Sequence, residues 1–385
     1  MKIYTISFLL IIGFILNTKA QQGNEELINL LIQKNIIKQS DADSLRAELA
    51  IKAQTDKEKQ NKFPLLTSKQ FTLNGYTQIR FLSQQEKGKP DAFDIRRAYL
   101  DLKGLVNEHW DYRLQVDFAS SPRILDAVIT YKHRDCLKLS AGQLKIPFTQ
   151  ESTTSDNLLE TIDRSQAVES FVARGKDVIG NQNGRDLGIQ ASGNVVKIKD
   201  RFLLDYYVGV FDGAGINVAD NNEAKDLSGR IVLHPIKNLD LGASYYSGFG
   251  RFATPGISSR DQTRERLGFE LKYTYKIASI KSEYIQGQDG LQKIRGEYYS
   301  LNRSGWYTQL SAYVYKKNIQ FVAEYDTYDP NTKPDITGDL TNNFIAGVNF
   351  YFNNWSKLQI NFTSREEEKK QYNNDLIAAQ LQISF

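Results

Sequence analysis

The 385-residue chain holds one cysteine, Cys136, so it has no internal disulfide and must draw its stability from elsewhere. Its three histidines, His109, His133 and His234, share no metal-binding spacing, which leaves no His-x-x-x-His or Cys–His set for zinc. There is no Gly-x-Ser-x-Gly stretch, no Walker pattern and no dinucleotide fingerprint; FDGAGIN (211–217) reads as a loop turn. A Ser–His–acid triad drawn from distant residues stays open on sequence alone. No cofactor is expected. An excess of one charge is also lacking. The net charge of +4 gives no ground for a nucleic-acid partner. Beyond residue 20 no run of about 18 apolar residues occurs, so no helix there is built to span a bilayer. That absence says nothing against a barrel, whose strands show only alternation.

What is present begins with MKIYTISFLLIIGFILNTKA. Lys2 is a short basic region, Ile6 to Leu16 an apolar run, and Thr18 and Ala20 small residues before a cleavage position. This predicts a secretory signal peptide over 1–20, too short to span a bilayer as a helix. Its removal takes away Lys2 and Lys19 and lowers the net charge from +4 to +2. Residues 24–60 have no Gly, no Pro and no aromatic, and their leucines follow helical spacing. They predict two short helices joined at 36–40, then a charged linker to Pro64, within a helical segment over 21–69.

From Phe71 onward the texture is strand and turn. FTLNGYTQIRF sets Phe71, Leu73, Ile79 and Phe81 against Thr72, Asn74, Gln78 and Arg80. DYRLQVDF, ILDAVITYK and RERLGFELKYTY repeat the pattern, with Leu125 on the apolar face beside Ala127, Ile129 and Tyr131. The chain ends on alternating Ile377, Ala379, Leu381, Ile383 and Phe385, as a strand whose last aromatic closes a barrel would. Sixteen candidate strands lie between 71 and 385, an even number. Short links at 133–136, 235–237 and 353–354 suit one rim, and long ones at 83–91, 212–225, 249–263, 288–302 and 329–340 suit the other. The predicted fold is all-β: a 16-stranded antiparallel transmembrane β-barrel with a short N-terminal helical periplasmic segment. A soluble sandwich would need a second sheet to cover the apolar faces.

By strand parity, bases and acids facing the lumen nearly balance, so any preference must come from placement; many of these charges are expected to pair across strands. One link breaks the rhythm. About 40 residues, 146–184, separate two strands, and their Leu158, Leu159 and Ile162 let the segment fold into the barrel and narrow it. Ser155 and Asp156 predict the cap of a short helix running to Asp163.

GQLKIPFTQESTTSDNLLETIDRS resembles the signature stretch of the phosphate- and polyphosphate-selective porins of Gram-negative outer membranes, the porin O and P family. The matching residues are Gly142, Gln143, Lys145, Pro147, Phe148, Thr154, Ser155, Arg164 and Ser165. FDIRRAYLDLKG (93–104) and GRDLGIQASG (184–193) are also similar to family segments. The resemblance implies a 16-stranded outer-membrane barrel, a homotrimer, an inward third loop and uptake of anions such as phosphate. Two features depart from it. Leu144 stands where an aromatic is usual, and no run of arginines matches the family's phosphate ladder, Arg264 and Arg266 after Arg260 being nearest.

The constriction and anion-binding candidates are therefore Lys145, Arg164, Arg174 and Lys176 from the loop and its approach, Arg97 and Arg113 from the adjoining wall, and Arg264 and Arg266. Arg and Lys suit oxyanions through charge-assisted hydrogen bonds. Competing acids are Glu151, Glu160, Asp163, Glu169 and Asp177. The expected partners are outer-membrane lipid and small anions. A rival organisation makes the barrel an anchor and residues 24–60 a periplasmic interaction segment. N-terminal sequencing of protein purified from membranes is expected to begin at Gln21; a first residue of Met1 would refute the signal peptide.

Overall fold

In the computed structural model the described residues are 30, 34, 71–86, 88–175, 177, 183–199, 201–220, 222–251, 261–294, 297–315, 318–333 and 340–385. The signal peptide and nearly all of the helical segment over 21–69 lie outside them, as does Lys176. Contacts divide the chain into Met1–Phe63 and Pro64–Phe385, and the barrel lies in the second unit.

Sixteen antiparallel strands close on themselves: β1 (Phe71–Gln84), β2 (Ala92–Leu105), β3 (Trp110–Asp117), β4 (Arg123–Arg134), β5 (Leu137–Lys145), β6 (Arg185–Ile198), β7 (Arg201–Phe211), β8 (Asp226–Leu233), β9 (Leu239–Arg251), β10 (Asp261–Tyr275), β11 (Ala278–Ile294), β12 (Glu297–Tyr315), β13 (Ile319–Asp329), β14 (Thr341–Asn353), β15 (Ser356–Glu367) and β16 (Leu376–Ser384). Neighbours in sequence are neighbours in the sheet, and β1 pairs with β16. The links between β2 and β3, β4 and β5, and so on to β14 and β15 are two to five residues long; the longer links all lie on the opposite rim, beside short ones after β3 and β11. One expected loop is instead sheet. Over 288–302 the alternation weakens, yet β11 and β12 run on as a hairpin that leaves only 295–296 between them.

Period two decides which way each side chain faces. On β16, Ile377, Leu381 and Ile383 are exposed while Gln380 and Gln382 are buried. Phe269, Phe321 and Phe344 likewise face outward, while Asp126, Glu283 and Glu324 face in. An apolar outside and a polar inside is the transmembrane form of a barrel. Among the described strands six pairs carry a register shift, and two of these bear on the lumen near the inward segment. Gln78 pairs with Arg97 and Ile79 with Ile95, which leaves Arg96 unpaired. Gln115 pairs with Asp126 and Val116 with Ile124, which leaves Leu125 unpaired. The extra residue turns Leu125 inward, fully buried against Tyr76 and Tyr99, correcting its expected outward place.

Closure is made at Gly75. Its N–H donates to the Phe385 carbonyl at 3.0 Å, and the Phe385 N–H donates back at 2.9 Å. The Phe385 ring lies over the space a side chain at 75 would need: a Cβ there would meet the ring at 2.5 Å and the Tyr99 carbonyl oxygen closer still. Gly75→Ala is expected to cost about 1–3 kcal/mol through overpacking, and Gly75→Val to stop the barrel closing. Heat-modifiable migration on SDS gels checks this; a Val variant that still runs as a folded, heat-labile band would contradict it.

Candidate functional site

The segment between β5 and β6 folds into the lumen. It carries α1 (Gln150–Thr153), a single 3-10 turn (Asp156–Leu158) and α2 (Gln166–Phe171). The helix expected over 156–163 is thus one turn only, and Ser155 makes no side-chain cap bond there. The cap lies ten residues on, where Ser165 Oγ accepts from the Val168 N–H at 3.2 Å and opens α2. Ile146, Phe148, Ala167, Val168, Phe171, Val172 and Ala173 bury themselves against Leu144, Phe211, Tyr246, Ile285 and Tyr307 of the wall. Each large apolar side chain so buried contributes roughly 1.5–3 kcal/mol, which fixes the segment to the wall from β7 to β12.

The signature residues hold this arrangement. Gly142 has φ +125°, and a Cβ there would clash with the Ala127 carbonyl. Gln143 Nε2 donates to the carbonyls of Ile124 and Leu125 at 2.8 and 2.9 Å, tying down the bulge in β4. Lys145 Nζ donates to the carbonyls of Thr153 and Thr154, both at 3.0 Å. Arg164 donates to the Asp156 carboxylate, to the Glu151 carbonyl at 3.1 Å and to the Thr154 carbonyl at 2.7 Å. Pro147 accepts from Ser228 Oγ, and Phe148 is almost wholly buried.

Among the described residues, five cations gather on the polar side of the segment. Arg97 donates to Gln78 at 2.8 Å and stands 3.4 Å from Asp156. Arg174 donates to the Ser152 carbonyl at 3.0 Å. Arg185 is paired with Asp126 at 2.6 Å and donates to Gln115 at 3.0 Å. Lys145 and Arg164 complete the set, against the two carboxylates of Asp156 and Asp126. Burial alone would push the Asp156 carboxyl up, but Arg164, Arg97, Arg174 and Lys145 hold it well below the usual carboxylate range. Burial, with Arg164 beside it, pushes the Arg174 guanidinium down to about 9, so it is still charged at neutral pH. Next to this cluster lies a cavity of about 520 Å³ whose lining includes Lys103, Arg113, Asp126 and Lys145.

Of the residues singled out from sequence, Lys145, Arg164, Arg97 and Arg174 come together here. Arg113 lines the cavity but is held by Asp101 and Asp126, both at 2.8 Å. Arg264 and Arg266 belong elsewhere. With Arg303 they meet Asp177, Asp226 and Asp289, three cations against three acids. Three further carboxylates of β11 and β13 face the segment or its neighbours: Glu283 accepts from the Glu151 N–H at 2.5 Å, Asp326 from the Gln166 N–H at 2.6 Å, and Glu324 from Gln309 at 2.7 Å. Burial pushes the Glu151 carboxyl up, against the pull of Arg164 and Ser165. The expected pairing of lumen charges is thus widespread. Sequence reading missed Arg185, Arg303 and Asp156. Arg185 opens the GRDLGIQASG segment, but strand ends carry weak parity; Asp156 was masked by its likeness to a helix cap.

Residues 71–257 match the family described as phosphate-selective porin O and P. No curated protein matches the sequence. Among solved structures, an anion-selective porin from Comamonas acidovorans superposes with a TM-score of 0.61 at 13% identity, covering 82% of this chain and 99% of that one. The outer membrane channel DcaP of Acinetobacter baumannii gives 0.59 at 13% identity, with 82% and 97% covered. The trimer form of OmpT, an outer membrane protein of Vibrio cholerae, gives 0.60 at 11% identity, with 82% and 99% covered. Identities this low speak for the fold alone. The family match, carried by β1 to β9 and the inward segment, shows what the chain is similar to: the phosphate-selective porin O and P family, over just under half of its length.

Proposed function

We propose that the chain is a porin of the Gram-negative outer membrane that passes small anions down their gradient, with phosphate or polyphosphate as its substrate class. The observation that carries this reading is the cluster of Arg97, Lys145, Arg164, Arg174 and Arg185 near a cavity lined by Lys145, with Asp126 and Asp156 in direct contact and Glu151, Asp163 and Glu169 acting from further off. A cluster of bases on the lumen side favours anions by charge. The outward apolar band meets membrane lipid, and a homotrimer is the assembly in keeping with the OmpT trimer form. Transport needs no cofactor and no turnover. A second reading, a general diffusion porin without phosphate preference, is favoured by one observation: most of the guanidiniums already bond carboxylates or loop carbonyls.

The reversal potential of the purified protein in a planar bilayer under a KCl gradient tests the charge preference. Chloride is expected to be favoured over potassium, and inorganic phosphate to block chloride current. Cation preference would overturn the anion reading. Arg97→Gln removes one of the five charges and is expected to lower the anion-to-cation permeability ratio roughly two- to tenfold, on the order of 1 kcal/mol for a unit charge across several ångströms at intermediate dielectric. An unchanged ratio would remove Arg97 from the selectivity site.

A further inference from the structure

The inward segment brings a carboxylate of its own to the place where an oxyanion would bind. Asp156 is buried, 7% exposed, in the lumen. One carboxylate oxygen takes the Arg164 guanidinium. The other lies 3.4 Å from Arg97 Nε and receives the Tyr99 hydroxyl at 3.3 Å. Two guanidiniums and a phenol around a planar oxyanion are the donors a phosphate or carboxylate solute would use. Lys145 and Arg174 add their field from the same side.

We propose that Asp156 is a tethered competitor: it occupies the oxyanion position between Arg97 and Arg164, and a passing anion binds there only by exchanging with it. This rests on the anion-channel reading. The physical need is plain. Conduction requires a site that attracts an ion yet releases it. Five cations around an empty position would hold a multivalent oxyanion tightly. A carboxylate fixed on the segment itself competes at a high effective concentration and returns each anion to the stream. Asp156 thereby sets how strongly the channel holds its substrate, while the five cations set which sign of charge enters.

The test uses the full-length barrel, with inorganic phosphate as probe. Asp156→Asn keeps the side-chain size and removes the charge. The phosphate concentration that half-blocks chloride current is expected to fall about tenfold or more, the worth of a charge-assisted hydrogen-bond pair. Chloride conductance is expected to saturate at lower salt than in the wild type. Asp156→Ser serves as a second variant, with the same shift expected. Folding of each is read from heat-modifiable migration on gels. A folded variant whose half-blocking concentration is unmoved would overturn the proposal. So would failure of both variants to form a barrel, since Asp156 would then be a structural tie. The wild-type reversal potential separates the two ideas: cation preference there defeats the anion reading and this inference together, whereas anion preference with unmoved variants defeats this inference alone.

Discussion

No backbone N–H or C=O can be left unpaired at the depth of the hydrocarbon, and that single requirement organises this molecule. In the sheet it is met by closure, strand to strand, until Gly75 and Phe385 exchange their two hydrogen bonds. An irregular segment inside the barrel cannot meet it by repetition. Residues 146–177 meet it with charged side chains from the wall and from the segment itself. Loop carbonyls are taken by cations: Thr153 and Thr154 by Lys145, Ser152 by Arg174, Glu151 by Arg164, and Leu159 by Lys357 at 2.8 Å. Loop N–H groups are taken by carboxylates: Glu151 by Glu283 and Gln166 by Asp326.

This division of labour also sorts the charges in space. The segment lays its apolar residues on the wall from β7 to β12, where Phe148 and Phe171 lie beside Tyr246, Ile285 and Tyr307. Its polar side then faces β2, β4 and β6, and Lys145, Arg164 and Arg174, which serve carbonyls of residues 151–154, collect there. The gathering of cations on that side is therefore a consequence of how the segment is anchored. The same side chains that satisfy the backbone create the field at the cavity beside Lys145.

The strands were legible because period two is a local signal, and each strand repeats it whatever its neighbours do. The bulges at Arg96 and Leu125 were not, because an extra residue shows only in the register between two strands. Over 288–302 the alternation fades where the hairpin of β11 and β12 continues, and loop composition misled. Within the candidate site, the signature stretch pointed to Lys145 and Arg164, and parity pointed to Arg97. Arg264 and Arg266 stood out as a pair of bases, but sequence does not display the Asp226 and Asp289 that neutralise them. Asp156 was hidden by its own context: a Ser-Asp pair before an apolar run reads as a cap, and only the folded segment shows that its carboxylate meets Arg97 and Arg164 instead.

Commitment of the cations to the backbone limits how they recognise a solute. Arg164 already spends donors on Asp156 and two carbonyls, Arg97 on Gln78 and Asp156, and Arg185 on Asp126 and Gln115. A guanidinium has five N–H donors in one plane, so few remain in a geometry that could grip phosphate in two places at once. Their charge, however, is not consumed by a neutral carbonyl. Carbonyl-bound Lys145 and Arg174 still project positive potential into the lumen, whereas Arg164, Arg264, Arg266 and Arg303, each set against an aspartate, project less. If the channel selects anions as proposed, sign of charge comes first, and selection by shape would draw on the donors that the proposed exchange at Asp156 releases.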